Sequence, residues 1–248
     1  MGHGRSIATL DLVGGTPALD LANTINSRHR PEHDYLRSTA DLVEWAGHAG
    51  LFSADERDGL ATGDPGDAAD EQGARVIRTV LRLREAIYRT FSARAAGAPP
   101  APDDVRLVAD AYAAAISAAR FDAAPVPGAA PGPGAAVRPS WPVANGAGTA
   151  LLHRLAFDAG ELLLDPAVPI GECPSCGWLF LDRSRNGSRR WCDMQTCGSR
   201  DKMRSHRARA ATARPRQAAP RQAAPPHASS SRNPSGKALG EVLPLTRE

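Results

Sequence analysis

All four cysteines of the chain fall between residues 173 and 197. Two residues separate Cys173 from Cys176, fifteen residues follow, and four residues separate Cys192 from Cys197. Two cysteine pairs joined by a hairpin-length connection form the donor set of a tetrahedral zinc site, with thiolates about 2.3 Å from the ion. Four thiolates close the coordination shell and leave no position for a water. The spacing therefore points to one structural Zn2+ and away from a catalytic metal. The competing reading is four free or redox-active thiols. In a reducing compartment, clustered cysteines serve metal binding more often than disulfides.

The elements around these residues must bring the sulfurs together. Cys173-Pro-Ser-Cys-Gly177 suits a zinc knuckle, with Gly177 free to take a positive φ. Trp178–Leu181 reads as a strand. Asp182–Ser188 reads as a polar turn around Asn186-Gly187, and Arg189–Trp191 as the returning strand that delivers Cys192. Cys197 then falls at or near the start of a helix that begins between Gly198 and Asp201 and runs to about Ala210. Knuckle, β-hairpin and helix describe a small treble-clef-like finger over residues 169–210. So few residues do not build a sufficient core without a metal.

Positive side chains crowd the same stretch: Arg183, Arg185, Arg189, Arg190, Arg200, Lys202, Arg204, Arg207 and Arg209. On a helix, Arg200, Arg204 and Arg207 share one face. Residues 1–180 carry 15 Lys and Arg against 22 Asp and Glu, whereas residues 181–248 carry 15 against 5. An acidic body that ends in a basic segment predicts a polyanion partner for that segment. Guanidinium groups bind phosphate bidentately and can read guanine edges, which makes DNA the leading expectation. An acidic protein patch and RNA are the alternatives. For RNA the finger offers few aromatics beyond Trp178, Phe180 and Trp191, all candidates for burial under the hairpin. The bland reading is a solvated face in an Arg-rich chain.

The body that precedes the finger reads as mainly helical with short β elements, an α+β arrangement over residues 5–168. Residues 6–13 suggest a short strand ending at Gly14-Gly15, and a helix can begin at Pro17. Thr39 can cap a helix to about His48, and Ser53-Ala-Asp-Glu56 fits a capping box. Val76, Val80, Leu83, Ile87 and Phe91 form one apolar stripe of a long helix from Gly73 to Ala96. A second, Ala-faced helix spans Pro102–Arg120, and an apolar helix spans Thr149–Leu164. Residues 121–148 form a long loop rich in Pro, Gly and Ala, with a weak hairpin around Val137 and Trp141. Residues 211–248 have the composition of a disordered tail.

Other candidate constellations carry less. Asp20, Asn23 and Thr24 could line a ligand pocket, but Asn and Thr at a helix end more often satisfy local backbone groups. His29, His33 and Asp34 share a polar loop without a metal-site spacing. His153 reads as a packed or edge histidine, and Trp45 and Trp141 as packing residues. No Gly-rich phosphate loop, nucleophile elbow or His-Glu-x-x-His motif is present, so no enzyme activity is expected. Met1–Leu10 lacks the apolar core of a signal peptide, and no apolar run approaches the roughly 20 residues of a membrane helix. These features predict a soluble cytoplasmic protein with no membrane partner.

Two stretches resemble known families. Cys173-Pro-Ser-Cys176, Leu179–Asn186, Arg189-Arg-Trp-Cys-Asp-Met194 and Cys197-Gly-Ser-Arg-Asp-Lys202 look like the CGNR zinc finger. Gly14-Gly-Thr-Pro-Ala-Leu-Asp-Leu-Ala-Asn-Thr24 looks like the start of the ABATE domain that usually precedes it. The resemblance implies a bacterial, stress-linked transcription regulator. Its C-terminal finger would bind DNA, and its N-terminal domain would sense a small-molecule effector or dimerise. Ser199 stands where the finger's name motif has Asn. Serine can still cap the following helix, while any base contact made by that Asn is in question.

Overall fold

The computed structural model describes residues 6–29, 33–53, 56, 67–125, 135–143 and 146–213. The described residues up to 207 form one compact unit, and the described residues 208–213 are helical.

Six helices and four strands are defined among the described residues. Helix α1 spans Pro17–Ala22 and α2 Thr39–His48. Helix α3 spans Asp67–Ala95, α4 Pro102–Ala118 and α5 Ala147–Leu164. Strands β1 (Arg120–Pro125) and β2 (Ala135–Ser140) pair antiparallel, as do β3 (Ile170–Glu172) and β4 (Leu179–Leu181). Helix α6, Ser199–Ala213, follows a π-helical turn over Met194–Gly198.

The stripe expected on α3 is the centre of the core: Val80, Ile87 and Phe91 have no exposed surface, and Val76 and Leu83 are buried with them. Helix α5 packs on α4 at close range. A Cβ on Gly160 would lie 2.0 Å from the Tyr112 ring, so this glycine sets the helix spacing. Trp141 donates its indole N–H to the Ala115 carbonyl (2.8 Å) and packs on Phe157.

Helix α2 is capped by Ser38, which accepts from Asp41 N, one residue earlier than expected. The Ser53–Glu56 capping box has both of its hydrogen bonds, at 2.9 and 3.1 Å. The rest of that short helix lies outside the described residues, as does the tail beyond residue 213.

Three expectations are corrected. The strand expected over residues 6–13 is a 3₁₀ turn over Ile7–Thr9. Ile7 and Leu10, three residues apart, are both buried, and strand alternation does not allow that. The weak hairpin expected in the 121–148 loop is a six-residue ladder, β1 with β2. Arg189–Trp191 is not a strand, and β4 pairs with β3 on the other side of the knuckle.

The cause of that last difference lies in the loop before Arg189. The Asp182 carboxylate accepts from Ser184 N and Oγ and from Arg189 N, and so closes residues 182–189 into a compact turn with Gly187 at φ 57. The outer edge of β4 is taken as well. Leu181 N donates to the Gly14 carbonyl (2.8 Å), and Leu179 is bonded through both of its backbone groups to the Asn23 side chain.

Candidate metal centre and basic surface

The knuckle is the turn of the β3–β4 hairpin. Cys173 N donates to the Trp178 carbonyl (2.9 Å) and Gly177 N to the Cys173 carbonyl (2.8 Å). Gly177 sits at φ 74, and a Cβ there would lie 2.7 Å from Arg28 Cβ, so conformation and space both require glycine. In the hairpin, the Phe180 ring covers Gly171, where a Cβ would also clash at 2.7 Å.

The hairpin brings Cys173 and Cys176 to one place, and the segment before α6 brings the other two sulfurs. Asp193 caps the π-helical turn by accepting from Thr196 N (2.7 Å) and Oγ1 (2.9 Å). Cys197 lies in this turn, four residues after the cap. Gly198 packs closely beside it: a Cβ would meet Met194 Sδ at 2.6 Å and the Trp191 ring at 3.2 Å. Ser199 donates its hydroxyl to the Met194 carbonyl (3.2 Å). The helix-capping role expected of it belongs to Asp193.

All four cysteines are buried, and their sulfurs lie within 4.8 Å of one another. Cys176 Sγ and Cys192 Sγ are 3.5 Å apart. A tetrahedron with Zn–S bonds of about 2.3 Å has edges of about 3.8 Å, so the cluster has the size of a zinc tetrathiolate. Hydrogen bonds from Cys176 and Cys192 lower the Cys173 thiol to about 6, and the same bonds raise Cys176 and Cys192. Four thiolates at this separation are stable together only around a positive ion. With Zn2+ bound, the centre supplies a fixed crosslink between the knuckle and the root of α6.

The knuckle side of this crosslink is embedded in the body. Trp178, fully buried, donates its indole N–H to the Ile25 carbonyl (2.7 Å). Arg28 N donates to the Cys176 carbonyl (2.8 Å). The Arg28 guanidinium pairs with Glu85 of α3 at 2.7 Å and lies over the Tyr88 ring. Glu172 of β3 accepts from Tyr88 and Ser92 of α3. Burial and the Glu172 charge push the Tyr88 phenol up to about 12.

The N-terminal motif explains the grip. Asn23 and Thr24 have no exposed surface, so they line no open ligand pocket. The Asn23 amide accepts from Leu179 N and donates to Leu179 O, both at 2.9 Å, in place of another strand. The Thr24 hydroxyl bonds locally to the Leu21 carbonyl and accepts from Arg84, which forks onto Asp34. Asp34 is thereby accounted for as an ion-pair partner. Asp20 accepts from Gly14 N (2.7 Å), and the Gly14 carbonyl holds Leu181. Burial pushes the Asp20 carboxyl up to about 7, with Asp158 adding to the shift. The expectation that these side chains satisfy backbone groups is right in kind, but for Asn23 the backbone is that of β4, 156 residues away. Residue type showed that Asn23 would need a backbone partner and carried no signal of which one.

The nine basic residues divide into two groups. Arg189 is committed to the fold. Its guanidinium donates to the carbonyls of Trp191, Leu181, Val13 and Cys192 and lies 4.3 Å from the Phe180 ring centroid. Arg183 is exposed and reaches the Gly15 carbonyl at 3.2 Å. Arg185 and Arg190 are exposed, Arg190 over the Trp191 ring. On α6, Arg200 is half-buried, while Lys202, Arg204, Arg207 and Arg209 are exposed. Every residue from Lys202 to Arg209 is exposed.

Residues 15–166 match the family described as "Putative stress-induced transcription regulator" (ABATE), and residues 170–210 match the CGNR zinc finger. The chain belongs to the ABATE family. No curated protein matches it. The CGNR match identifies the cysteine cluster as the site of one structural Zn2+. Neither family is described as an enzyme. The two matches meet at residues 166–170, yet the packing is continuous there, because the start of the ABATE region holds the CGNR hairpin. Among the described residues no helix is long and apolar enough to cross a membrane.

Proposed function

We propose that the chain is a zinc-dependent, DNA-binding transcription regulator of the cytoplasm, with α6 as its DNA-contacting element. The observation that carries this reading is the exposure of Lys202, Arg204, Arg207 and Arg209 on a helix rooted at a zinc ligand. A helix with no apolar side to bury gains little from the protein itself. A polyanion along it offsets its self-repulsion. Arg183, Arg185 and Arg190 are the other exposed cations of the finger, and Arg189 supports the loop between them. In the ABATE region, a groove between α3, α4 and α5 is the place for an effector. Leu83, Leu107, Ala111 and Leu152 line it together with Arg82 and His153.

Each phosphate contact contributes a slope of about −0.9 to the dependence of log K on log salt. Titration of zinc-loaded protein with duplex DNA at several salt concentrations tests the reading. The triple variant Lys202→Ala, Arg204→Ala, Arg207→Ala is expected to weaken binding at least about tenfold and to lower the slope by about 2 to 3. Its zinc content and melting temperature are expected to stay those of the parent. Unchanged affinity and slope would refute the assignment of α6. Arg189→Ala does not belong in this test, since it removes support from the fold.

A further inference from the structure

The placement of charge around α6 says how the helix would lie on DNA, an inference that rests on the DNA-binding reading above. Successive residues of an α-helix are about 100° apart around the axis. Arg200, Arg204 and Arg207 therefore fall within about 60° of one another. Lys202 and Arg209 fall together on the opposite side, about 180° away. The helix carries two cationic stripes back to back, with the exposed Lys202, Arg204, Arg207 and Arg209 among them.

A helix lying along one phosphate backbone needs one stripe. Two opposed stripes match a helix with a phosphate backbone on each side, which is the environment of the major groove. That groove is about 12 Å wide and admits a helix of about 10–12 Å. One of the two faces between the stripes must then point at the base edges and the other at solvent. Met203 and His206 occupy one of them, and Asp201 and Ser205 the other. A carboxylate directed at the floor of a groove between two polyanionic walls is unfavourable. The Asp201 side therefore faces out.

We infer that Met203 and His206 form the base-reading face of α6. Both are exposed, Met203 at 53%. They are three residues apart, about 4.5 Å along the axis, against about 3.4 Å between stacked bases, so they reach neighbouring base pairs. An imidazole N–H donates to guanine N7 or O6, and the Met203 methyl group packs on a thymine methyl. The preferred site contains a guanine next to a thymine on the face that α6 meets.

Selection of bound sequences from a random duplex pool tests this, with the full zinc-loaded chain, His206→Ala, Met203→Ala, and Ser205→Ala as the opposite-face control. Salt slopes are measured for all four proteins on one selected duplex. The parent is expected to enrich a short core with adjacent G and T. His206→Ala is expected to lose about tenfold of the preference at the guanine, and Met203→Ala several-fold at the thymine, both with unchanged salt slope. Ser205→Ala is expected to select the parental core. Identical cores from all four proteins, or a change caused by Ser205→Ala alone, would overturn the inference. A steep salt slope with no enriched core overturns it too, but leaves DNA binding standing. Salt-insensitive or absent binding removes both.

Discussion

The two halves of the finger differ as much as any two regions of the molecule. The knuckle half, residues 170–181, packs against α1 and α3, with Trp178, Leu179 and Phe180 at most 1% exposed. The helix half is exposed residue after residue from Lys202 to Arg209. The zinc centre takes two ligands from the buried half and two from the segment that roots the exposed one. The metal thus joins a buried anchor to an exposed basic helix. The anchor needs apolar burial and satisfied backbone, and a surface for a polyanion would need exposed charge. A single compact module of this size would have to supply both, and here the ABATE region supplies the first.

The largest expected effect on the anchor comes from Asn23. Asn23→Ala leaves both buried backbone groups of Leu179 without partners, at a cost of about 2–5 kcal/mol. Chemical denaturation of the zinc-loaded chain measures it. The salt slope for DNA is expected to remain parental, because no exposed cation moves. A loss of DNA affinity larger than the loss of folded protein would break the division between anchor and surface.

A smaller effect concerns Asp20, whose carboxyl holds Gly14 against β4. Its folded pKa, about 7, lies above the ordinary 3.8. The folded state therefore binds the proton more tightly, and its stabilisation is complete below about pH 4 and lost as pH rises through 7. Asp20→Asn keeps a side-chain oxygen for Gly14 N and removes the titration. Between pH 5 and pH 8 the parent is expected to lose stability relative to Asp20→Asn by on the order of 2 kcal/mol, measured by denaturation at both pH values. The zinc thiolates titrate alike in both proteins and drop out of the difference. A constant gap between the two proteins would show that Asp20 is ionised in the fold.

Much of this was legible in the sequence, and for physical reasons. The cysteine spacing is a statement about ligand geometry and survives any change in surroundings. The stripe Val76, Val80, Leu83, Ile87 and Phe91 is a periodicity that only a helix buries. What escaped reading depended on distant partners. Arg189 looks like any other arginine of its stretch, and its inward direction is set by the carbonyls of Val13, Leu181 and Cys192. The Asn186-Gly187 signal marks a turn correctly. It could not show that Asp182 would close that turn locally, nor that Asn23 and Gly14 would already occupy the edge of β4. Residues 6–13 satisfied a strand by composition, while the burial of Ile7 and Leu10 together favoured a 3₁₀ turn.

Backbone amide exchange on the full chain, before and after zinc is removed with a chelator, tests the central claim most directly. Protection over Cys192–Arg204 is expected to collapse when the ion leaves, while residues 14–24 and the β3–β4 hairpin stay protected. Equal loss across both segments, or no loss in either, would contradict an anchored knuckle joined by zinc to an exposed basic helix.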